Sequence, residues 1–239
     1  MFHKSAAYYD LIYRDRKDYA KEADKLHYLL QLLEPVPKRL LDVGCGTGEH
    51  ARVLREKYGY EVDGIDIEPA FVEIASAKNP GSDFSVADMR GFRLPTRYDV
   101  VLCLFSTIAY VETLEGLKSA FSSIAGCLQP GGWLICEPWE RPGEWMPGQV
   151  DAIEIADESS GTTVTRTRLG STEGKVSVLT IDYDITGPSG EQRFQEIHRL
   201  GLFTSEEMTD ALRESGFSSR WAEYGLQGRS LLLATYLPE

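Results

Sequence analysis

Leu40-Leu41-Asp42-Val43-Gly44-Cys45-Gly46-Thr47-Gly48-Glu49-His50 is the stretch on which the reading of this chain turns. A short apolar run ends in a turn with glycine at every second position, and a helical pattern begins directly behind it. Gly44, Gly46 and Gly48 permit positive φ and carry no Cβ, so a ligand can touch the backbone itself. Amides at the start of the next helix suit electron-rich or anionic groups. The pattern predicts a nucleotide-type cofactor site at the carboxyl end of a first parallel strand. A strand-to-helix turn that binds nothing is the plainer alternative. A dinucleotide fingerprint begun at Gly44 would place its third glycine on Glu49. A carboxylate there would repel a pyrophosphate, which argues against an NAD- or FAD-dependent dehydrogenase.

Outward from the loop, strands and helices alternate. Upstream, Tyr19, Glu22, Ala23, Leu26, Leu29, Leu30 and Leu33 keep helical spacing until Pro35 and Pro37. Three tyrosines, Tyr8, Tyr9 and Tyr13, precede that helix and could cover a pocket or cap the outer core. Strand 1 is expected over 39–43 and its helix over 49–58, with Gly59 as C-cap. Strand 2 is expected over 61–67, and it ends in Asp66, about twenty residues past the loop, where an acid accepts hydrogen bonds from a ribose diol. Asp66 could instead cap the helix that starts at Pro69. Residues 83–86 read as strand 3, followed by Ala87-Asp88-Met89. Residues 99–105 form a continuous apolar run, a strand covered on both faces. A helix over 112–128 and a strand over 133–136 complete five alternations, which argue a doubly wound parallel sheet.

Then the period changes. Residues 162–169, 175–185 and 192–203 alternate, with turns at 170–174 and 187–190. An antiparallel sheet inserted after strand 5 would lie at the ligand end, as a lid or acceptor platform. Thr204-Ser205-Glu206-Glu207 resembles a capping box opening a last helix. Two closing strands are expected over 218–224 and 230–237. The expected organisation is a cofactor-binding core with an N-terminal helical cap (1–150), the antiparallel insertion (151–203), and a closing helix with two strands (204–239).

A net charge of −12 without a basic cluster points away from nucleic acid. The apolar runs are too short to span a membrane, and residues 1–5 lack a signal-peptide core. Cys45, Cys103, Cys127 and Cys136 have no metal-ligand spacing and read as small apolar fillers in a reducing compartment, so no metal and a cytoplasmic address are expected.

The D-x-G-x-G-x-G run from Asp42 to Gly48 resembles motif I of the class I S-adenosylmethionine (AdoMet)-dependent methyltransferases, and the Pro130-Gly131-Gly132 turn before a strand recurs in them. Tyr9-Asp10 through Tyr13, Lys17-Asp18-Tyr19, Phe105-Ser106-Thr107-Ile108, Glu137-Pro138-Trp139 and Gly228-Arg229 also resemble one subgroup. That subgroup is the bacterial dTDP-amino-sugar N,N-dimethyltransferases of the desosamine and mycaminose type. The resemblance implies an α/β, Rossmann-like seven-stranded methyltransferase fold with an inserted antiparallel β-sheet lid. It implies AdoMet as cofactor, held at Asp42, Gly44, Cys45, Gly46, Gly48, His50, Asp66, Ile67, Asp88, Met89, Leu104 and Phe105, with Asp88 on the adenine amino group. Tyr13 and Tyr19 would close over the methionine end. The subgroup carries a histidine after F-S-[ST]-I-[GA]; this chain has Tyr110, which leaves the acceptor open. Glycine and sarcosine N-methyltransferases share the general plan.

Methyl transfer from a sulfonium is an in-line displacement, so catalysis is chiefly positioning. An amine acceptor must be neutral to attack, and Tyr13, Tyr110 and His198 are the candidates to accept or relay its proton. Tyr110 could equally be a pocket wall and His198 a mid-strand surface residue. Tyr110, Trp139, Arg166 and Arg229 are candidates for the acceptor, the arginines by bidentate pairing with a diphosphate or carboxylate. Arg166 could also be an ordinary surface strand arginine. The expected activity is N-methylation of an amino sugar or other small amine. O-methylation of a small hydroxy or carboxy acceptor, or a non-catalytic AdoMet-binding protein, are the alternatives. An exposed edge of the inserted sheet could pair two copies as a homodimer.

Overall fold

A computed structural model describes residues 2–238 except 224 and 227. A short helix α1 (Tyr9–Tyr13) and an amphipathic helix α2 (Tyr19–Gln31) come first, and Asp18 caps α2 by accepting from the Lys21 amide. There follow β1 (Arg39–Val43), α3 (Glu49–Tyr58), β2 (Glu61–Asp66), α4 (Pro69–Lys78), β3 (Phe84–Val86) and β4 (Tyr98–Cys103). A 3-10 turn (Thr107–Val111) separates β4 from α5 (Leu114–Cys127), which leads into β5 (Leu128–Cys136). Four long strands come next, β6 (Val150–Asp157), β7 (Thr162–Glu173), β8 (Val176–Gly187) and β9 (Gly190–Gly201). Helix α6 (Ser205–Glu214), β10 (Phe217–Ala222) and β11 (Leu231–Tyr236) close the described chain.

The seven core strands run in the order β10-β11-β5-β4-β1-β2-β3. All are parallel except β11, which is antiparallel to both neighbours. Strand pleating explains the continuous apolar runs. Leu40, Val100, Leu102 and Ile135 face α2 and α3, whereas Leu41, Val101, Cys103 and Leu134 face α5 and α6. The four cysteines are buried free thiols, as expected of fillers. Order reverses between β1 and β4, where an open α/β sheet leaves a crevice at its carboxyl edge.

The second sheet, β6-β7-β8-β9, is an antiparallel meander. Its inner face buries Val164, Leu179, Ile181 and Ile185 against Ile12 and the 3-10 turn after β4. It therefore roofs the carboxyl edge of the core sheet. Four details depart from expectation. Strand β6 has no counterpart in the three runs read from sequence; it is an edge strand, acid-rich and only half buried, so its hydrophobic signal is weak. Gly170 lies inside β7 rather than in a turn, and a Cβ there would stand 2.8 Å from the Trp145 ring, so glycine serves close packing. Helix α5 begins two residues late because the 3-10 turn and the Thr113 cap intervene. The strand expected over 218–224 ends at Ala222, and its last expected residue lies outside the described residues. Among the described residues, no helix is long and apolar enough to cross a membrane.

Candidate active site

A cavity of about 450 Å³ occupies the space between the β1, β2 and β4 carboxyl ends, the N-terminal segment and the inner face of the meander. Its floor is the glycine loop. Gly44 sits at φ +74°, and a Cβ there would collide with Thr107 Cγ2 at 2.0 Å; this glycine lets the loop pass the turn after β4. Gly46 differs: at φ +53°, a Cβ would meet nothing within 4 Å. Its missing side chain is open space on the cavity wall, the cradle of a ligand that meets backbone. Gly48 caps α3 and packs tightly on α4.

Asp66, at the end of β2, accepts from the Gly46 amide at 2.9 Å through one oxygen and from the Glu68 amide at 2.9 Å through the other. The residue at the N-cap of α4 is Glu68, so Asp66 is not that cap; it stitches the glycine loop to the β2 end. Burial raises its carboxyl pKa, with the two amide bonds pulling the other way. Ile67 and Met89 line the cavity beside it. Asp88 also reaches the cavity, but Arg90 forks onto its carboxylate at 2.6–3.0 Å and holds its pKa below the usual range. The acid expected to face adenine is thus paired with a guanidinium at the cavity rim.

A smaller recess next to the glycine loop is lined by Lys17, Tyr19, Asp42, Cys45, His50, Leu104 and Phe105, among others. Asp42 is buried, and desolvation pushes its carboxyl up to about 6. His50 Nε2 lies 2.7 Å from a Glu22 oxygen, and that same oxygen stands 3.1 Å from Lys17 Nζ. Lys17 is the residue sequence reasoning missed. Its side chain is 1% exposed, its ammonium has no hydrogen-bond partner among the described residues, and it sits 3.7 Å over the Phe105 ring. Burial lowers its pKa, against the pull of Glu22. A buried cation without a full complement of acceptors is suited to receive an anion. Asp42 and Lys17 together fit the ammonium and carboxylate of an amino-acid end. With the Gly46 cradle and Asp66, this donor set fits AdoMet.

The turn after β4 is held under strain. Phe105 and Ser106 adopt φ +52° and +63°, uncommon for residues with side chains. The Phe105 amide donates to the fully buried Glu137 at 2.8 Å, and Ser106 Oγ donates to the Pro138 carbonyl and accepts from Arg229. Such strain persists where surrounding bonds over-determine it, and it clusters at functional sites. Tyr13 stands edge-on to Phe105, with ring centroids 5.3 Å apart. The N-terminal segment is clamped over the floor by Asp10, which accepts from Thr47 Oγ1 and pairs with Lys78. The tyrosines therefore serve both roles open in the sequence: Tyr9 is buried, and Tyr9 and Tyr13 line the cavity.

At the far end, under the meander, Arg16, Arg166, Arg168 and Arg229 line the same cavity with Trp139. Arg166 is 5% exposed, which rules out a surface strand arginine; it reaches Asp151 at 3.3 Å and Tyr13 Oη at 3.4 Å, and its Nε has no hydrogen-bond partner among the described residues. Arg229 stacks over Trp139 at 5.5 Å. Trp145 packs behind Trp139. His198 is likewise no surface residue: it is 1% exposed, and its Nδ1 lies 2.9 Å from Tyr110 Oη. Tyr13, Tyr110 and His198 thus share one cavity with the strained turn.

Comparisons with known proteins agree with this geometry. Residues 40–132 match the family model described as a methyltransferase domain. The chain is 36% identical, over 95% of its length and 88% of the relative's, to the dTDP-3-amino-3,6-dideoxy-alpha-D-glucopyranose N,N-dimethyltransferase of Streptomyces fradiae. Among solved structures, Streptomyces venezuelae DesVI superimposes with a TM-score of 0.88 at 31% identity, covering 98% of both chains. CalS10 with bound SAM, an amino pentose methyltransferase from Micromonospora echinaspora, superimposes with a TM-score of 0.83 at 32% identity, covering 95% of both.

Proposed function

The chain belongs to the family of the dTDP-amino-deoxysugar N,N-dimethyltransferases, AdoMet-dependent class I methyltransferases, and from that premise we propose that it methylates the amino nitrogen of a nucleotide-linked amino sugar. AdoMet supplies a sulfonium-activated methyl group; this chain's residues hold and orient both partners. Lys17 would hold the cofactor carboxylate, Asp42 the ammonium, and Asp66 the ribose diol, while Met89 and Asp88 flank the adenine. The perpendicular rings of Tyr13 and Phe105 would bracket the reacting centre, where aromatic faces also favour a cation. Fixing nucleophile and methyl in line converts a bimolecular step into a unimolecular one, worth roughly 7–11 kcal/mol.

The observation that carries the acceptor class is the arginine-lined end. Four arginines converge there in a chain of net charge −12, and Arg166 keeps an unpaired buried Nε. Guanidinium groups in that number suit a diphosphate, and Trp139 beside them offers a face on which a base or sugar can stack. The test is a turnover panel read by S-adenosylhomocysteine release. dTDP-linked 3-amino and 4-amino deoxyhexoses should turn over well, and the same sugars without dTDP at least about 100-fold less efficiently. Equal efficiency with free amino sugars would remove the diphosphate role.

A further inference from the structure

Tyr110, from the turn after β4, and His198 and Glu196, both from β9, form a largely buried chain. Tyr110 Oη and His198 Nδ1 are 2.9 Å apart. His198 Nε2 lies 3.6 Å from Glu196 Oε2, beyond hydrogen-bond range, and has no hydrogen-bond partner among the described residues. Glu196 is itself anchored: it accepts from the Lys4 amide at 2.8 Å, the Ser5 amide at 3.1 Å and Ser5 Oγ at 2.7 Å. Phe2 covers the imidazole at a centroid distance of 4.4 Å. His198 is 1% exposed and Glu196 6%, so bulk water does not mediate between them.

A carboxylate that orients an imidazole, which in turn holds a hydroxyl facing a reaction cavity, is the arrangement that moves protons in a fixed direction. Core histidines generally have both ring nitrogens satisfied. Here Nε2, which carries the ring proton when Nδ1 accepts from Tyr110, lies 3.6 Å from a fixed carboxylate, a contact that strengthens when the imidazole takes up a second proton. We propose that Tyr110, His198 and Glu196 form a proton relay that receives the proton an amine acceptor must lose around each methyl transfer. This rests on the amine-acceptor reading above.

As the nitrogen lone pair forms the new N–C bond, the S–C electron pair stays on the departing thioether sulfur, and the nitrogen becomes a cationic ammonium. An N–H proton of that ammonium passes to Tyr110 Oη while the phenol proton moves to His198 Nδ1. The resulting imidazolium turns Nε2–H onto Glu196, and the neutral secondary amine is ready to attack a second methyl group.

The charged groups around the relay fix its resting protonation state. Burial lowers the His198 pKa, Glu196 opposes that, and Arg166 on β7 adds to it, so the resting imidazole is neutral and able to accept. Burial raises the Tyr110 pKa, with Tyr13, Tyr183, Asp66 and Glu196 adding to it, so the phenol is protonated and able to donate. Burial works against the Glu196 charge, but the neighbouring His198 and the hydrogen bonds from Ser5 and Lys4 outweigh it and keep the carboxyl below its usual range.

The experiment compares the native protein with Tyr110→Phe and His198→Gln, using AdoMet and dTDP-3-amino-3,6-dideoxyglucose, with products resolved by mass. Each variant should lose about 100-fold or more in kcat near neutral pH, within the range of general-base contributions. It should accumulate monomethylated product, and it should regain rate as pH rises and solvent takes over proton removal. Tyr110→His, which places a base at the same position, should retain most activity. S-adenosylhomocysteine affinity should be unchanged in all three, which shows that the site is folded. Variants that lose rate equally at all pH values, or that keep the native ratio of mono- to dimethylated product, would overturn the relay. No turnover by the native protein with any amino-sugar nucleotide would instead overturn the acceptor reading.

Discussion

Replacing Lys17 by methionine isolates the recess that the sequence did not reveal. The ammonium is 1% exposed, 3.1 Å from Glu22 and without a hydrogen-bond partner among the described residues, and Lys17 lines the recess. A charge-assisted hydrogen bond of this kind contributes about 1.5–3 kcal/mol. At about 1.4 kcal/mol per factor of ten, the Kd for S-adenosylhomocysteine should rise about 10- to 150-fold. The variant keeps a near-isosteric stem over Phe105, and Glu22 retains His50 at 2.7 Å, so the helix junction stays tied. Calorimetry should compare S-adenosylhomocysteine with 5′-methylthioadenosine, which shares the adenosine and the sulfur but has no amino-acid end. Methylthioadenosine affinity should change less than about threefold if Lys17 acts only on the carboxylate. An equal loss for both ligands would refute the assignment, because it would mean that Lys17 shapes the whole site. No loss for either would mean that its charge is spent on Glu22.

Three further outcomes follow from the same geometry. Gly44→Ala and Gly46→Ala should separate: the first forces a Cβ onto Thr107 Cγ2 at 2.0 Å and should lower Tm strongly, whereas the second meets no atom within 4 Å. Gly46→Ala bears only the left-handed backbone cost of about 1–2 kcal/mol, a Tm loss of about 2–8 °C, yet should abolish most cofactor affinity; thermal melts with and without S-adenosylhomocysteine check both. Arg229→Met should raise the KM for a dTDP-amino sugar about tenfold or more while leaving S-adenosylhomocysteine affinity intact in calorimetry. Asp42 gives a pH dependence: its folded pKa, raised to about 6, exceeds the unfolded value of about 3.9, so the ligand-free fold loses stability as pH climbs through that window. A bound ammonium favours the ionised form and reverses that loss, so the Tm rise on adding S-adenosylhomocysteine should be larger at about pH 7.5 than at about pH 5.

What the sequence disclosed and what it hid divide along local and long-range lines. The glycine loop and Asp66 are legible because a positive-φ turn and a strand-end acid are written in consecutive residues and fixed spacing. The seven-stranded core is legible because its strands alternate with helices. Lys17 is hidden because a lysine beside a helix cap reads as solvated; it is buried because Phe105, from the turn after β4 and distant in sequence, covers it. Arg166 and His198 look like surface strand residues for the same reason: the meander buries their faces by folding back onto α1 and the turn after β4. Glu137 stands in a family-like run, but its role, holding the Phe105 amide at 2.8 Å, is not legible there because it depends on strands β4 and β5 being neighbours. Strand β6 escaped detection because an edge strand half exposed to solvent tolerates the acids that sequence patterns treat as loop.

The central claim is methyl transfer to nitrogen, and isotope placement tests it most directly. The native protein, given AdoMet with a deuterated methyl group and dTDP-3-amino-3,6-dideoxyglucose, should yield a sugar nucleotide whose label NMR assigns to the amino nitrogen, with mono- and dimethylated forms appearing in sequence. Label on a hydroxyl oxygen would contradict the account, as would cofactor binding with no labelled product from any amino-sugar nucleotide.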